Sequence, residues 1–239
     1  MSGMSPPPAP SWFPDELVHA GRENLDAEHV ARYDDKEDAG AAAEIALLCE
    51  LGFDADSVVV EFGPGTGQFT VAAAPQCERI VAVDVSAVML DRLQRKVAGH
   101  RLDNVEVVQA GFLTYAHTGA PADIVYSRLA LHHLPDFWKV LALDRLRQVV
   151  RPGGVVRLWD VVYHFEPQET EERIEAWCET AGDEIEGEWS RAELEEHVRD
   201  EHSTFTWLLE AMITRCGFDI AQAEYSDDGI FAGYALRAT

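Results

Sequence analysis

A 239-residue chain with 47% hydrophobic content is large enough to fold as one α/β domain, and none of its apolar runs approaches the ~20 residues needed to cross a membrane. Its 43 Asp and Glu outnumber 19 Lys and Arg, for a net charge of −24. Such an acidic balance argues against DNA or RNA as a partner, because phosphate backbones are held by basic patches. Cys49, Cys77, Cys178 and Cys216 lie far apart with no C-x-x-C pair, so neither a zinc set nor a disulfide framework is expected. Residues 1–10, rich in proline, have no basic or apolar segment; they read as a disordered lead-in rather than a signal peptide, and the expected location is cytoplasmic.

Taken in order, the sequence predicts short helices at Pro14–His19 and Asp26–Tyr33, then a helix over Ala41–Leu51 capped by Asp38 and stopped at Gly52. Residues 11–52 thus form an N-terminal helical cap. The β-branched run Val58–Phe62 predicts a buried strand, and a helix follows from Gly67 to Ala74, where Pro75 ends it. A second strand, Arg79–Asp84, leads to a helix capped by Ser86, carrying Met89, Leu90, Leu93 and Val97, and ended by Gly99. Further strands are expected at Val105–Gln109, Asp123–Tyr126 and Val155–Val162. A helix from Pro135 carries Leu141, Leu143, Leu146 and Val150. Five strand–helix alternations imply a parallel sheet covered on both faces, with ligand at the carboxyl ends of the strands. The alternation stops at residues 166–202. Between Asp160 and His202 there are 16 Asp and Glu against three Arg. This run is either a set of solvated helix faces, or a lid that draws in a cationic substrate or keeps the protein soluble in salt. A helix over Ser203–Cys216 and two strands, Phe218–Tyr225 and Ile230–Leu236, complete the chain; Asp227-Asp-Gly229 between them signals a hairpin.

The richest segment is Glu61-Phe-Gly-Pro-Gly-Thr-Gly67, where an acid ends a buried strand and three glycines alternate. The spacing is G-x-G-x-G, not the G-x-G-x-x-G of dinucleotide sites. Asp84 ends the next apolar run. Later come Asp123-Ile-Val-Tyr-Ser-Arg-Leu-Ala-Leu-His-His-Leu-Pro-Asp136 and Arg151-Pro-Gly-Gly154 with Val155–Trp159. In this order, over roughly residues 40–165, the four motifs resemble the class I S-adenosylmethionine (SAM)-dependent methyltransferases. The resemblance implies a single Rossmann-like domain over 1–239. Its sheet would be doubly wound, mostly parallel and seven-stranded, with an antiparallel last strand, and residues 166–202 would be a helical lid. It also implies SAM as cofactor and a small-molecule methyl acceptor as the partner.

By the same resemblance, Gly63, Gly65 and Gly67 let the loop pass under the methionine part of SAM, and Glu61 lies near its amino group. Without a ligand, Glu61 would satisfy backbone donors at the helix start. Asp84 takes the two ribose hydroxyls, a role that suits an ionised carboxylate, which is a pure acceptor. Val85 and Met89 pack on the adenine, although Met89 serves equally well as core. After the third strand the family often carries an acid that accepts from the adenine amino group. Here the chain reads Gln109-Ala-Gly-Phe112, with Gly111 at that position, so Phe112 or backbone groups are left to read the purine. Ser127 and Arg128 lie beside the methionine moiety, and Tyr33 of the cap reaches the SAM carboxylate.

SAM brings its own leaving group, so a base is needed only for a protonated nucleophile. His164, past the fifth strand beside Asp160 and Tyr163, is the first candidate. His132 and His133 are either further candidates or loop anchors beside the cofactor. The cluster Glu201-His-Ser-Thr-Phe-Thr-Trp207 either lines the pocket or caps a helix at Ser203 with Phe205 and Trp207 in the core. His132, His133 and His202 lack metal-binding spacing, so no metal is expected. Ser127-Arg-Leu-Ala130 stands where amide-nitrogen methyltransferases carry N/D-P-P-Y/F, which favours a small acceptor. Two competing readings remain: a SAM-binding partner or regulatory protein without turnover, and a nicotinamide-dependent oxidoreductase.

Overall fold

The computed structural model describes residues 10–21, 40–181 and 189–239. Its centre is β1 (Val58–Phe62), buried at every position because parallel neighbours cover both of its edges. Next come β2 (Arg79–Asp84), β3 (Val105–Gln109), β4 (Ala122–Arg128) and β5 (Val150–Tyr163). A two-residue β6 (Thr204–Phe205), β7 (Phe218–Tyr225) and β8 (Phe231–Ala238) follow. The main path runs β3-β2-β1-β4-β5-β8-β7, with β6 paired to the end of β5. β8 lies antiparallel to both β5 and β7, and the other pairings are parallel. The expected doubly wound sheet with an antiparallel last strand is therefore present. The strand order reverses at β1 and β4, so the carboxyl ends of β1, β2 and β4 open onto a common crevice.

The helices are α1 (Glu16–His19), α2 (Ala41–Glu50), α3 (Gln68–Ala73), α4 (Ala87–His100), α5 (Asp136–Val149), α6 (Thr170–Glu179), α7 (Arg191–Asp200) and α8 (Thr206–Arg215). One sheet face carries α2, α3 and α4 through Ile45, Leu48, Phe69, Ala73, Leu90 and Leu93. The other carries α5 and α8 through Leu143, Leu146, Leu209 and Ile213. The acidic helices α6 and α7 pack together and build a smaller core, in which Trp177, Cys178 and Leu194 meet Val161, Tyr163 and Ile230.

Several boundaries differ from the sequence expectations, each for a local reason. α4 runs through Gly99 and closes at Arg101, which takes the left-handed conformation with φ 56°. β4 continues to Arg128 because Ser127 and Arg128 pair with Leu158 and Trp159. β5 begins at Val150 rather than Val155. Val150 pairs with Ala122, and the Arg151-Pro-Gly-Gly154 turn is absorbed as a register shift within the strand. α8 starts three residues late, because Thr204 and Phe205 pair with Val162 and Tyr163. Leu141 of α5 faces outward rather than into the core. The expected helix at Asp26–Tyr33 and the Asp38 cap lie outside the described residues, as does part of the acidic run. No helix among the described residues is long and apolar enough to cross a membrane.

Candidate active site

Two adjoining cavities open at the carboxyl ends of the strands. The larger, about 640 Å³, is bordered by Gly63, Gly65, Asp84, Val85, Gly111 and Phe112, with Glu16 and His133 also in its wall. The second, about 420 Å³, is bordered by Glu61, Thr66, Gln68, Phe69 and Tyr126. Gly63, Gly65, Arg128 and Leu129 belong to both walls, so one elongated ligand can span them.

The glycine loop owes its form to two constraints. Gly63 has φ 69°, and a Cβ there would stand 2.5 Å from the Ala130 Cβ. Gly67 has φ 87°, and a Cβ would meet Leu93 Cδ1 at 2.2 Å. The role of Gly67 is thus to seat α3 against α4, and it lines neither cavity; only Gly63 and Gly65 face the ligand space.

Asp84 ends β2 with its Oδ1 accepting from the Ser86 backbone N–H at 2.8 Å, and Ser86 Oγ in turn accepts from Met89 N–H at 3.2 Å. Burial pushes the Asp84 carboxyl up to about 6 despite bonds from Ser86, Gly65 and Val85. Met89, fully buried under this turn, borders neither cavity, so it is core. Glu61 is buried and accepts from the Thr70 hydroxyl. Burial first, then the Asp84 charge, carries its carboxyl up to about 8 against the pull of Thr70. The buried hydroxyl of Tyr126, whose ring stacks on Phe69 at 3.8 Å, has no hydrogen-bond partner among the described residues. Ser127, expected beside the methionine moiety, is buried within β4 and borders neither cavity. Arg128 reaches both cavities, its guanidinium 5.5 Å from the Trp159 ring centre. Phe112 lies in the larger cavity and stacks on Phe62 at 4.9 Å.

Glu16 was not expected here. α1, capped by Asp15, places this buried residue over the end of β3, where it accepts from Leu113 N–H at 3.0 Å and the Thr114 hydroxyl at 2.9 Å. Its carboxylate fills the space a side chain at Gly111 would need, since a Cβ there would lie 2.3–2.6 Å from it. Burial raises the Glu16 carboxyl above its ordinary range. Nothing in a four-residue helix far from the glycine loop signals this placement.

The histidines separate. His132 is buried beneath the cavities, with Nδ1 on Asp160 and Nε2 2.9 Å from Glu201 Oε2. Asp160 also accepts from the backbone N–H groups of Leu131 and His132, at 2.8 and 3.2 Å. Burial opposes charge on His132, but the Asp160 carboxylate overcomes it and raises the ring's pKa. His133 lies between this cluster and the larger cavity; burial and then repulsion from His132 lower its pKa. His164 does not reach the ligand space. Its backbone N–H donates to Gly229 at 2.8 Å, which draws it to the β7–β8 hairpin, and its exposed ring stacks on Tyr225 at 3.7 Å. The described part of residues 166–202 borders neither cavity and approaches through Glu201, whose Oε2 is 3.7 Å from His133 Nδ1. Tyr33 lies outside the described residues. His202 turns away and meets His19.

Residues 59–154 match the family model described as a methyltransferase domain. The chain thus carries a methyltransferase domain, in keeping with the resemblance of its four ordered motifs to the class I SAM-dependent methyltransferases. An uncharacterized methyltransferase from Geobacillus kaustophilus is 28% identical over 134 residues, covering 56% of this chain and 60% of the relative. The match thus spans less than two thirds of that curated relative's length. Among solved structures, a SAM-dependent methyltransferase from Aquifex aeolicus aligns over 90% of this chain and 100% of its own, with TM-score 0.61 and 17% identity. The [4+2]-cyclase SpnF aligns over 81% of this chain and 78% of its own, with TM-score 0.62 and 14% identity. At these identities the structures bear on the fold alone.

The residues present fit SAM, the cofactor that the sequence motifs imply. A carboxylate at a strand end, Gly63 and Gly65 of the glycine loop, and a buried hydroxyl with no hydrogen-bond partner among the described residues line the two cavities.

Proposed function

We propose that this protein transfers the methyl group of SAM to a small-molecule acceptor by in-line displacement. The observation that carries the reading is the shared wall of the two cavities, which lets one ligand extend from Asp84 to Glu61. Asp84 would hold the ribose hydroxyls. Glu61, Arg128 and the Tyr126 hydroxyl would hold the amino-acid end, while Val85 and Phe112 flank the purine. When bound, SAM would supply a sulfonium whose positive sulfur makes the methyl carbon electrophilic and which leaves as a neutral thioether when the acceptor's electron pair takes the methyl. The chain's contribution is alignment and exclusion of water, which can account for a large part of such a rate. Leu129, Ala130, His133 and Leu134 form the wall from which the acceptor would approach. The acidic surface supports a small, neutral or cationic acceptor over a nucleic acid. Incubation with methyl-labelled SAM and a cell extract should place label in the low-molecular-weight fraction; label confined to nucleic acid or protein would contradict the reading. A second reading, in which SAM is bound without methyl turnover, draws on two of the three candidate bases, His132 and His164, bordering neither cavity. SAM binding with no label transferred to any fraction would favour it.

Glu16 takes over, on this proposal, the adenine contact that Gly111 cannot make. Each oxygen of its carboxylate keeps a lone pair beyond its bonds to Leu113 and Thr114. Glu16→Gln should weaken SAM binding about 5- to 20-fold, the worth of one charge-assisted bond. Binding of an analogue lacking the 6-amino group should be nearly unchanged by the substitution. Equal losses for both ligands would contradict the assignment.

The raised pKa of Glu61 gives a pH dependence with a definite sign. In the free protein its carboxyl, at about 8, is protonated at neutral pH. Arrival of a cationic amino group favours the carboxylate, so SAM binding should release up to one proton near pH 7 and tighten between pH 6 and 8. Calorimetry in buffers of different ionisation enthalpy reads this directly; a binding heat independent of buffer would rule it out. For the free protein the sign is opposite. The fold binds more protons than the unfolded chain between 4.5 and about 8, so the contribution of Glu61 to stability falls as pH rises through that window.

A further inference from the structure

We propose that His132 Nε2, His133 Nδ1 and the Glu201 carboxylate form a binding site for a divalent transition metal of the zinc class, fastening the acidic helix pair to the wall of the active-site cleft. The three donor atoms lie within 4.8 Å of one another, and all three side chains are at most 14% exposed. They come from two elements far apart in sequence: the turn at Leu131–His133 and the residue that ends α7.

The arrangement around Glu201 differs from an ordinary ion pair. One oxygen, Oε2, faces three imidazole nitrogens: His197 Nδ1 at 2.6 Å, His132 Nε2 at 2.9 Å and His133 Nδ1 at 3.7 Å. The donors of a tetrahedral zinc site, with bonds of about 2.0–2.1 Å, lie roughly 3.3–3.4 Å apart. The separations from Glu201 to His132 and His133, 2.9 and 3.7 Å, bracket that value, and the two ring nitrogens lie within 4.8 Å of each other.

The surroundings support the same assignment. His132 presents its second nitrogen, Nδ1, to Asp160, and that carboxylate is itself fixed by three backbone N–H groups, from Leu131, His132 and Val161. A carboxylate behind a ligating histidine sets its tautomer and aims its other nitrogen. Two buried carboxylates, Asp160 and Glu201, face a set of rings that cannot all be charged together. A divalent cation balances both. Imidazole nitrogens with one carboxylate favour zinc, cobalt or nickel over magnesium or calcium, which prefer oxygen. His197 Nδ1 stands next to Glu201 as a further nitrogen donor, its Nε2 3.0 Å from Ser203 Oγ. His202, in contrast, packs on His19 and has no place in the set.

The proposal is independent of methyl transfer, and its test does not read activity. The full-length protein, stripped with a chelator, should bind one Zn²⁺ per chain in competition with a chromophoric chelator. Co²⁺ in its place should give the intense visible absorption of a four-coordinate site. Glu201→Gln and His133→Asn should each weaken Zn²⁺ binding at least tenfold and remove the Co²⁺ band, while His202→Asn leaves both unchanged. Circular dichroism checks that each variant is folded, and either folded variant suffices to judge the result. Absence of stoichiometric binding to the wild-type protein, or wild-type binding by a folded Glu201→Gln or His133→Asn chain, would overturn the site.

Discussion

Asp84→Asn should weaken SAM binding roughly 30- to 100-fold while leaving the fold intact. An ionised carboxylate accepts from both ribose hydroxyls through charge-assisted bonds, whereas an amide offers one neutral acceptor; the difference is about 2–3 kcal/mol. Asparagine is chosen because the amide oxygen can still accept from the Ser86 N–H, preserving the turn that starts α4. With its pKa near 6 in the free protein, the wild-type carboxylate also becomes protonated below that pH, and affinity should decline there. The variant should lack that part of the profile. A dissociation constant within about threefold of wild type would show that Asp84 does not hold the ribose.

The largest expected effect on stability is at Arg157, in the middle of β5. Its guanidinium is 3% exposed and grips both oxygens of Glu44 at 2.7 Å, with Glu224 on the other side at 2.6 Å. The pair joins α2 to the sheet. Arg157→Met removes the charge but keeps the stem, so the Glu44 carboxylate, 12% exposed, loses its partner. Breaking a buried pair in this way costs about 3–5 kcal/mol. For a domain of this size, at about 2–4 °C per kcal/mol, the midpoint of thermal unfolding should fall by about 6–20 °C. Arg157→Lys restores charge without the two-pronged geometry and should recover only part of the loss. Because Arg157 borders neither cavity, SAM affinity should stay within about twofold of wild type. An unchanged melting temperature for Arg157→Met would mean that Glu44 finds water or another partner at no cost.

Much of this was readable from local pattern. The β-branched runs at 58–62 and 79–84 and the glycine spacing identified the strands and the turn that converge on the cavities. The parallel sheet covered on both faces followed from the alternation of elements, and the hairpin at Asp227-Asp-Gly229 followed from turn chemistry. What stayed hidden depends on long-range approach. Glu16 meets Gly111 across almost a hundred residues, and no periodicity marks it. Glu201 and His197, at helical i,i+4 spacing, signalled at most a shared face. Their meeting with His132 and His133 arises from the packing of α7 against the turn before α5. His164 was misplaced because the end of a strand was assumed to face the ligand, whereas pairing with Gly229 carries it to the opposite edge. Gly67 carries the right residue type for a reason other than cofactor approach: its conformation and the nearness of Leu93.

The most direct test of the account is calorimetric titration of the purified protein with SAM, with its demethylated product S-adenosylhomocysteine, and with NAD as control. The account predicts saturable one-to-one binding of both sulfur ligands, weakened in Asp84→Asn, and no binding of NAD. Binding of NAD alone, or sulfur-ligand binding indifferent to Asp84, would contradict the assignment of the cleft.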